Sequence, residues 1–193
     1  MKMKLQSATQ RPKIVIVGGS FAGLCAIRHL KKYPDLDITL IEPKDYFEYT
    51  PGVLHLLTGS KGDLISPLED ITRDAAAVVH GRVCGLNDKS GLKSIIVELA
   101  DTEDSKGALS EIPYDAVIIC TGVPYTAPIR QAPVLRATMQ SRLLEIEEYS
   151  KKLSSANRVI IAGGGLVGVE LAAEISVRYN DFYQSSVLTC FCC

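Results

Sequence analysis

The sequence has no charge excess of either sign: 21 lysines and arginines face 22 acids, for a net charge of −1. Without a basic surplus it does not read as a general nucleic-acid binder. No stretch approaches the roughly 18 consecutive apolar residues that a membrane span requires, so no transmembrane segment is expected. Hydrophobic residues make up 47% of the chain but are evenly spread, which suits a core. Met1 to Lys13 carries lysines and an arginine with no apolar signal core; it reads as a short frayed arm and argues against secretion. Metal-ligand spacing is absent as well. Cys25, Cys84 and Cys120 are scattered through apolar stretches and read as buried small hydrophobes. Cys190, Cys192 and Cys193 crowd the end without a histidine or second cysteine pair and read as an incidental tail, so no metal site is expected; a thiol cluster that binds metal or is acylated is the alternative.

Two glycine clusters stand out, each between an apolar run and a helical pattern. Gly18-Gly19-Ser20-Phe21-Ala22-Gly23 follows Lys13 to Val17, and Gly163-Gly164-Gly165-Leu166-Val167-Gly168 follows Arg158 to Ala162. Such a turn ends a buried strand and opens a helix whose free N–H groups and positive dipole end suit a phosphate. The first glycine makes the turn, the second admits the pyrophosphate and the third lets helix and strand pack. Ser20 takes the middle position of the first cluster, where its hydroxyl could also donate to phosphate. Ile38 to Ile41 reads as the next buried strand. Glu42 closes it, 19 residues after Gly23, where an acid can bond an adenosine ribose. Glu42 as a merely solvated strand-end carboxylate is the alternative.

Helices are expected over about Phe21 to Lys32, Val53 to Leu57, from Ser66-Pro67 onward, and over Met139 to Ser154. In the Ser66 helix, Ser66 is the cap, Pro67 the first helical residue, and Glu69 and Asp70 lie in the first turn. In the Met139 helix, Leu143, Leu144 and Ile146 form the apolar face, and Glu147, Glu148, Lys151 and Lys152 are exposed. Ala77 to Leu86 and Leu92 to Leu99 read as strands joined by a turn over 87–91. The polar run Asp101 to Lys106 reads as a loop, and Tyr114 to Cys120 as a strong buried strand. Pro124, Pro128 and Pro133 mark a linker. This order implies an α/β fold with a mainly parallel sheet.

These residues resemble the two-dinucleotide-binding flavoprotein reductases, the FAD/NAD(P)H pyridine nucleotide oxidoreductases. Within them the chain looks most like the type II NADH dehydrogenase and mitochondrion-associated apoptosis-inducing-factor-like branch. Val17 to Leu24, Asp45 to Gly52, Tyr114 to Gly122 and Gly163 to Glu174 carry the resemblance. It implies a Rossmann-like, three-layer FAD/NAD(P)-binding fold with an antiparallel β-meander insert. It also implies a second dinucleotide unit that is incomplete, with its strand, glycine turn and helix. The expected divisions are an arm over 1–12, an FAD-binding segment over 13–122, a linker over 123–137, the start of an NAD(P)H-binding domain over 138–178, and a divergent tail over 179–193.

By resemblance, Gly18, Gly19, Ser20, Phe21, Ala22 and Gly23 would hold the FAD pyrophosphate, and Glu42 the ribose. Lys44 would lie near the adenosine end, the backbone at Val83 would face the adenine, and Thr121-Gly122 would close over FAD. Pro51, in the aromatic loop, would approach the flavin ring; a packed surface loop is the alternative. Gly163, Gly165 and Gly168 would receive NAD(P)H, with Glu170 near the nicotinamide as the catalytic candidate. A first-turn glutamate favourable to the helix dipole is the other reading of Glu170.

Disulfide reductases of this superfamily often place a cysteine pair after the ribose-binding acid, and residues 43 to 79 contain none. The implied activity is therefore hydride transfer from NAD(P)H to FAD and onward to a small acceptor, quinone-like or one-electron, with this chain as an N-terminal fragment. By the Gly23–Glu42 interval, the residue that would sense the second ribose falls near Val187. Ser185 to Cys193 holds no acid or arginine, so NADH and NADPH are not distinguished. The alternatives are a truncated, non-catalytic nucleotide-binding isoform and another flavin enzyme such as a ferredoxin-type reductase. The expected location is cytoplasmic, with peripheral mitochondrial association as the variant; the oligomeric state is open.

Overall fold

The computed structural model describes residues 11–89, 91–100, 107–123, 125–131, 134–135, 137–179 and 188–190. The run Asp101 to Lys106, the linker prolines Pro124 and Pro133, and most of the arm and tail lie outside them. The chain divides into two compact units, residues 1–45 with 67–123 and residues 46–66 with 124–193.

The first unit is built on a four-stranded sheet in the order β5-β2-β1-β9, comprising β1 (Lys13–Val17), β2 (Asp37–Ile41), β5 (Ala77–Val79) and β9 (Ala116–Ile119). All three pairings are parallel. Alternation along β1 sends Val15 and Val17 to one face, where they join Ile41 and the buried Ile95 and Val97. Ile16 faces the other way, toward Gly23 of helix α1 (Phe21–Leu30). Ile95 and Val97 belong to an antiparallel meander of β6 (Gly81–Lys89), β7 (Leu92–Leu99) and β8 (Leu109–Pro113). The layers are thus helix, parallel sheet and antiparallel meander, which is the α/β plan with its insert.

Several expectations are corrected in detail. Ala77 to Leu86 is two strands rather than one, split at His80: the first half pairs with β2 and the second opens the meander. The run ending at Cys120 is an edge strand, not a buried one. Among the described residues it has a neighbour only on its β1 side, and Ile119 is 63% exposed. Cys25 and Cys84 are exposed and Cys120 half-buried, because they fall on a helix outer face, a meander strand and that edge. Ser66 and Pro67 end a strand, and helix α3 (Leu68–Thr72) starts one residue later, with Pro67 at the N-cap position.

The second unit contains β3 (Tyr46–Glu48) paired with β4 (Ile65–Pro67), a 3-10 turn over Thr50–Gly52, and helices α2 (Val53–Leu57), α4 (Met139–Ser155) and α5 (Leu166–Tyr179). Its core joins Val53, Leu54 and Leu57 of α2 to Ile146 of α4. A capping box between Thr138 and Ser141 starts α4. The face that α4 buries is the expected one only at Ile146. Arg142 and Ile146 are buried, while Leu143 and Leu144 are 40% and 56% exposed. Strand β10 (Ile160–Ala162) pairs in parallel with β11 (Leu188–Cys190). The second glycine cluster therefore sits inside a strand–helix–strand unit, one strand more than expected. Among the described residues, β10 has a partner on one edge only.

Candidate functional site

The first glycine turn is locked by backbone geometry. Gly18 has φ +106°, and a Cβ there would lie 2.4 Å from the Cys120 carbonyl oxygen. A Cβ on Gly23 would lie 1.9 Å from the Gly18 carbonyl oxygen. Neither position admits a side chain, which is why the motif needs glycine at both. The Gly18 N–H donates to the Ile41 carbonyl at 2.9 Å, tying the turn to β2. Ser20 stands at the N-cap of α1 in an extended conformation, and its hydroxyl makes no capping bond. That leaves the start of the helix able to donate to an anion.

Glu42 stands at the end of β2 beside this turn, as its spacing predicts. The residue is 6% exposed, and its carboxylate accepts the Gly19 N–H at 2.6 Å and the Lys44 N–H at 3.3 Å. Two amides thereby fix the orientation of a group that has about four acceptor positions. The remaining acceptors suit a ribose diol. Cradles that a Cβ would fill, an uncapped helix start and a pinned carboxylate together fit the adenosine pyrophosphate half of FAD. Thr121 and Gly122 follow β9 and are exposed, Gly122 with φ +67°. Val83 lies in β6 of the meander and packs against the core. Phe21 is 46% exposed at the start of α1, next to the exposed Ala22.

The second turn repeats the local geometry in the other unit. Gly163 has φ +108°, and a Cβ on Gly168 would lie 2.3 Å from the Gly163 carbonyl oxygen. Around it the likeness ends. Among the described residues nothing lies within 4 Å of a Cβ on Gly163 or Gly165, and Leu166 is 91% exposed. A cavity of about 910 Å³ opens against this turn, walled by Ile129, Tyr149, Arg158 and Leu171 among others. Glu170 is exposed, and it is the fifth residue of α5, beyond the first turn, which holds no acid. The dipole reading of Glu170 is therefore corrected. Pro51 sits exposed in the 3-10 turn over Thr50–Gly52.

Sequence reasoning missed the most buried charged group among the described residues. Arg142 is fully buried, and its Nε donates to Glu48 Oε2 at 2.6 Å. Its Nη1 donates to Glu145 at 2.8 Å, and its Nη2 to the Pro128 and Ile129 carbonyls at 2.9 and 3.0 Å. Burial pulls the guanidinium down, but the bonds and charges of Glu48 and Glu145 outweigh it and raise its pKa above the ordinary value. The cavity wall at residues 128–129 is thus held by an arginine on α4. Glu48 lies 94 positions away from Arg142, so no local pattern could have paired them. The one available signal was an arginine in phase with Ile146 on the helix face.

The family model described as pyridine nucleotide-disulphide oxidoreductase matches residues 12–183. Ferroptosis suppressor protein 1 of Xenopus tropicalis is 28% identical over 177 residues, covering 91% of this chain and 43% of that protein. A Schizosaccharomyces pombe protein named as a probable mitochondrial NADH-ubiquinone oxidoreductase is 27% identical over 217 residues, covering 97% of this chain and 37% of its own length. The water-forming NADH oxidase of Lactobacillus brevis, solved with NADH, matches in fold with a TM-score of 0.65. It is 22% identical, and the match covers 92% of this chain and 39% of that one. The chain therefore spans about two-fifths of the length of such relatives.

Proposed function

Because the chain belongs to the pyridine nucleotide-disulphide oxidoreductase family, we propose that it is the dinucleotide-binding part of an FAD-dependent NAD(P)H:acceptor oxidoreductase. The observation that carries this is the buried Glu42 carboxylate pinned by the Gly19 amide at the first glycine turn. In this reading Gly18, Gly19, Ser20, Phe21, Ala22 and Gly23 receive the FAD pyrophosphate, Glu42 bonds the ribose, and Lys44, Val83, Thr121 and Gly122 flank the nucleotide. Pro51 is assigned to the flavin end. Gly163, Gly165 and Gly168 receive the NAD(P)H pyrophosphate, and Glu170 stands near its nicotinamide. When bound, FAD supplies a ring that accepts hydride from NAD(P)H and hands electrons to the acceptor. The names of the relatives, one of them an NADH-ubiquinone oxidoreductase, favour a quinone-like acceptor. Among the described residues no helix is long and apolar enough to cross a membrane; a cytoplasmic location, or a peripheral mitochondrial one, belongs to the proposal.

The contrast between the turns favours a second reading, nucleotide binding without turnover. Hydride transfer demands two rings held near contact, and an error of about 1 Å can cost about a hundredfold. The second turn, open around Gly163, offers less to hold a ring in place. The experiment loads the purified chain with FAD, then follows NADH and NADPH oxidation with a soluble quinone, beside a version extended to the relatives' length. Tight, yellow FAD binding is expected from both, with useful turnover only from the longer one. Absence of FAD binding from both would overturn the flavoenzyme reading. Equal turnover by both would overturn the binding-only reading.

A further inference from the structure

Glu42 and His80 are register neighbours. The β2–β5 pairing, which ends at Ile41 opposite Val79, continues one step. The Glu42 N–H donates to the Val79 carbonyl at 3.1 Å, and the Gly81 N–H to the Glu42 carbonyl at 3.2 Å. Residues opposed in parallel register send their side chains to the same face of a sheet. The His80 imidazole therefore leaves on the face from which the Glu42 carboxylate reaches Gly19. It stands one strand further from the glycine turn, a step of about 4.8 Å.

The ring is placed rather than loose. Nδ1 lies 3.4 Å from the Glu42 carbonyl oxygen, and Nε2 lies 3.6 Å from Oε1 of Glu69 on α3, with the side chain 28% exposed. Across the sheet the order is the turn after β1, the carboxylate after β2 and the imidazole after β5. An adenosine has the same order: phosphate on the 5′ carbon, ribose diol in the middle and base on the 1′ carbon. A nucleotide with its pyrophosphate at Gly18–Gly23 and its diol on Glu42 must carry its base over the end of β5.

We propose that His80 is the side chain that contacts the adenine, its imidazole packing against the purine with Glu69 beside it. The inference rests on the FAD reading of the first site and adds to it the residue that reads the base. Stacking of a base on an aromatic side chain is sequence-tolerant and of moderate strength, so the ring itself, more than its nitrogens, should matter.

The test titrates the full chain with FAD, followed by flavin fluorescence, and with ADP, followed by calorimetry. Four proteins are compared: the parent, Glu42→Ala, His80→Ala and His80→Phe. His80→Ala should weaken both ligands by a common factor of about ten. His80→Phe, which keeps a ring of similar size and guards against a folding defect, should stay within about threefold of the parent. Parent-like affinity in His80→Ala, or equal loss in both His80 variants, overturns the assignment. If Glu42→Ala weakens FAD while His80→Ala does not, only the His80 inference fails. If the parent binds neither ligand, the adenosine reading of the first site fails and His80 falls with it.

Discussion

The two glycine turns share a backbone and differ in everything around it. Gly18 and Gly163 have φ values of +106° and +108°, and in each turn the last glycine sits where a Cβ would strike the first glycine's carbonyl. Yet β1 lies between β2 and β9, whereas β10 pairs only with β11 among the described residues. Val15 and Ile16 are fully buried, while Ile160 is 74% exposed. The Cys120 carbonyl roofs Gly18, and among the described residues nothing stands over Gly163. A glycine motif therefore sets the turn by itself, and a flanking strand turns it into an enclosed site. The units also differ in what fills them. The first closes on an apolar sandwich; the second combines an apolar cluster with a buried arginine network.

The sharpest break in that comparison would come at Arg142. Arg142→Leu leaves Glu48 buried without its partner and should destabilise the second unit by about 3–5 kcal/mol. The double replacement Arg142→Leu with Glu48→Leu should recover most of that loss. Urea unfolding read by circular dichroism measures both, and a double variant as unstable as the single one would count against the network account.

Next come the two first glycines. Gly18→Ala meets a forbidden φ and the Cys120 carbonyl together and should cost about 3 kcal/mol or more. Gly163→Ala meets the φ penalty alone, about 1–2 kcal/mol. The same unfolding experiment ranks them, and equal losses would mean that the roof over Gly18 does not constrain the turn.

Glu42→Ala should weaken FAD by about 1–3 kcal/mol, the range for a charge-assisted bond to a hydroxyl. Flavin fluorescence titration reads it; an unchanged dissociation constant would return Glu42 to a plain strand-end carboxylate.

The smallest effect is expected on the outer face of α4. The Lys152 ammonium bonds Glu148 and lowers its carboxyl pKa, while Glu148 raises that of Lys152. Both groups are fully exposed, so solvent screens the pair. A lowered carboxyl pKa stabilises the fold above the ordinary glutamate range, and that gain disappears as pH falls through the lowered value. Melting curves of Glu148→Gln and the parent should differ slightly near neutrality and coincide in acid. A larger gap in acid than at neutrality would reverse the sign.

Much of the frame was legible in the sequence because it rests on local rules. Both turns, β1, β2 and α2 fall where apolar runs and glycines predict, and Glu42 stands at the strand end its spacing implies. The errors share one cause. A single apolar run from Ala77 to Leu86 gives no hint that its halves belong to different sheets. The apolar strand ending at Cys120 looks buried, but its place at an edge depends on which strands lie beside it. Leu143 and Leu144 look like a core face until Arg142 finds Glu48 across the fold. His80 went unnoticed because its meaning comes only from lying opposite Glu42.

By itself, then, the sequence determined where the backbone turns, since a positive φ and a missing Cβ are properties of single residues and their nearest neighbours. It also determined the parallel α/β order, through the alternation of apolar strands and helices. Tertiary structure alone decided which turn is roofed, which arginine is buried and which histidine stands beside Glu42. Those outcomes depend on groups 94 positions apart in the Arg142–Glu48 pair and 38 in the Glu42–His80 pair, and burial and register bring such groups together only once the chain has folded.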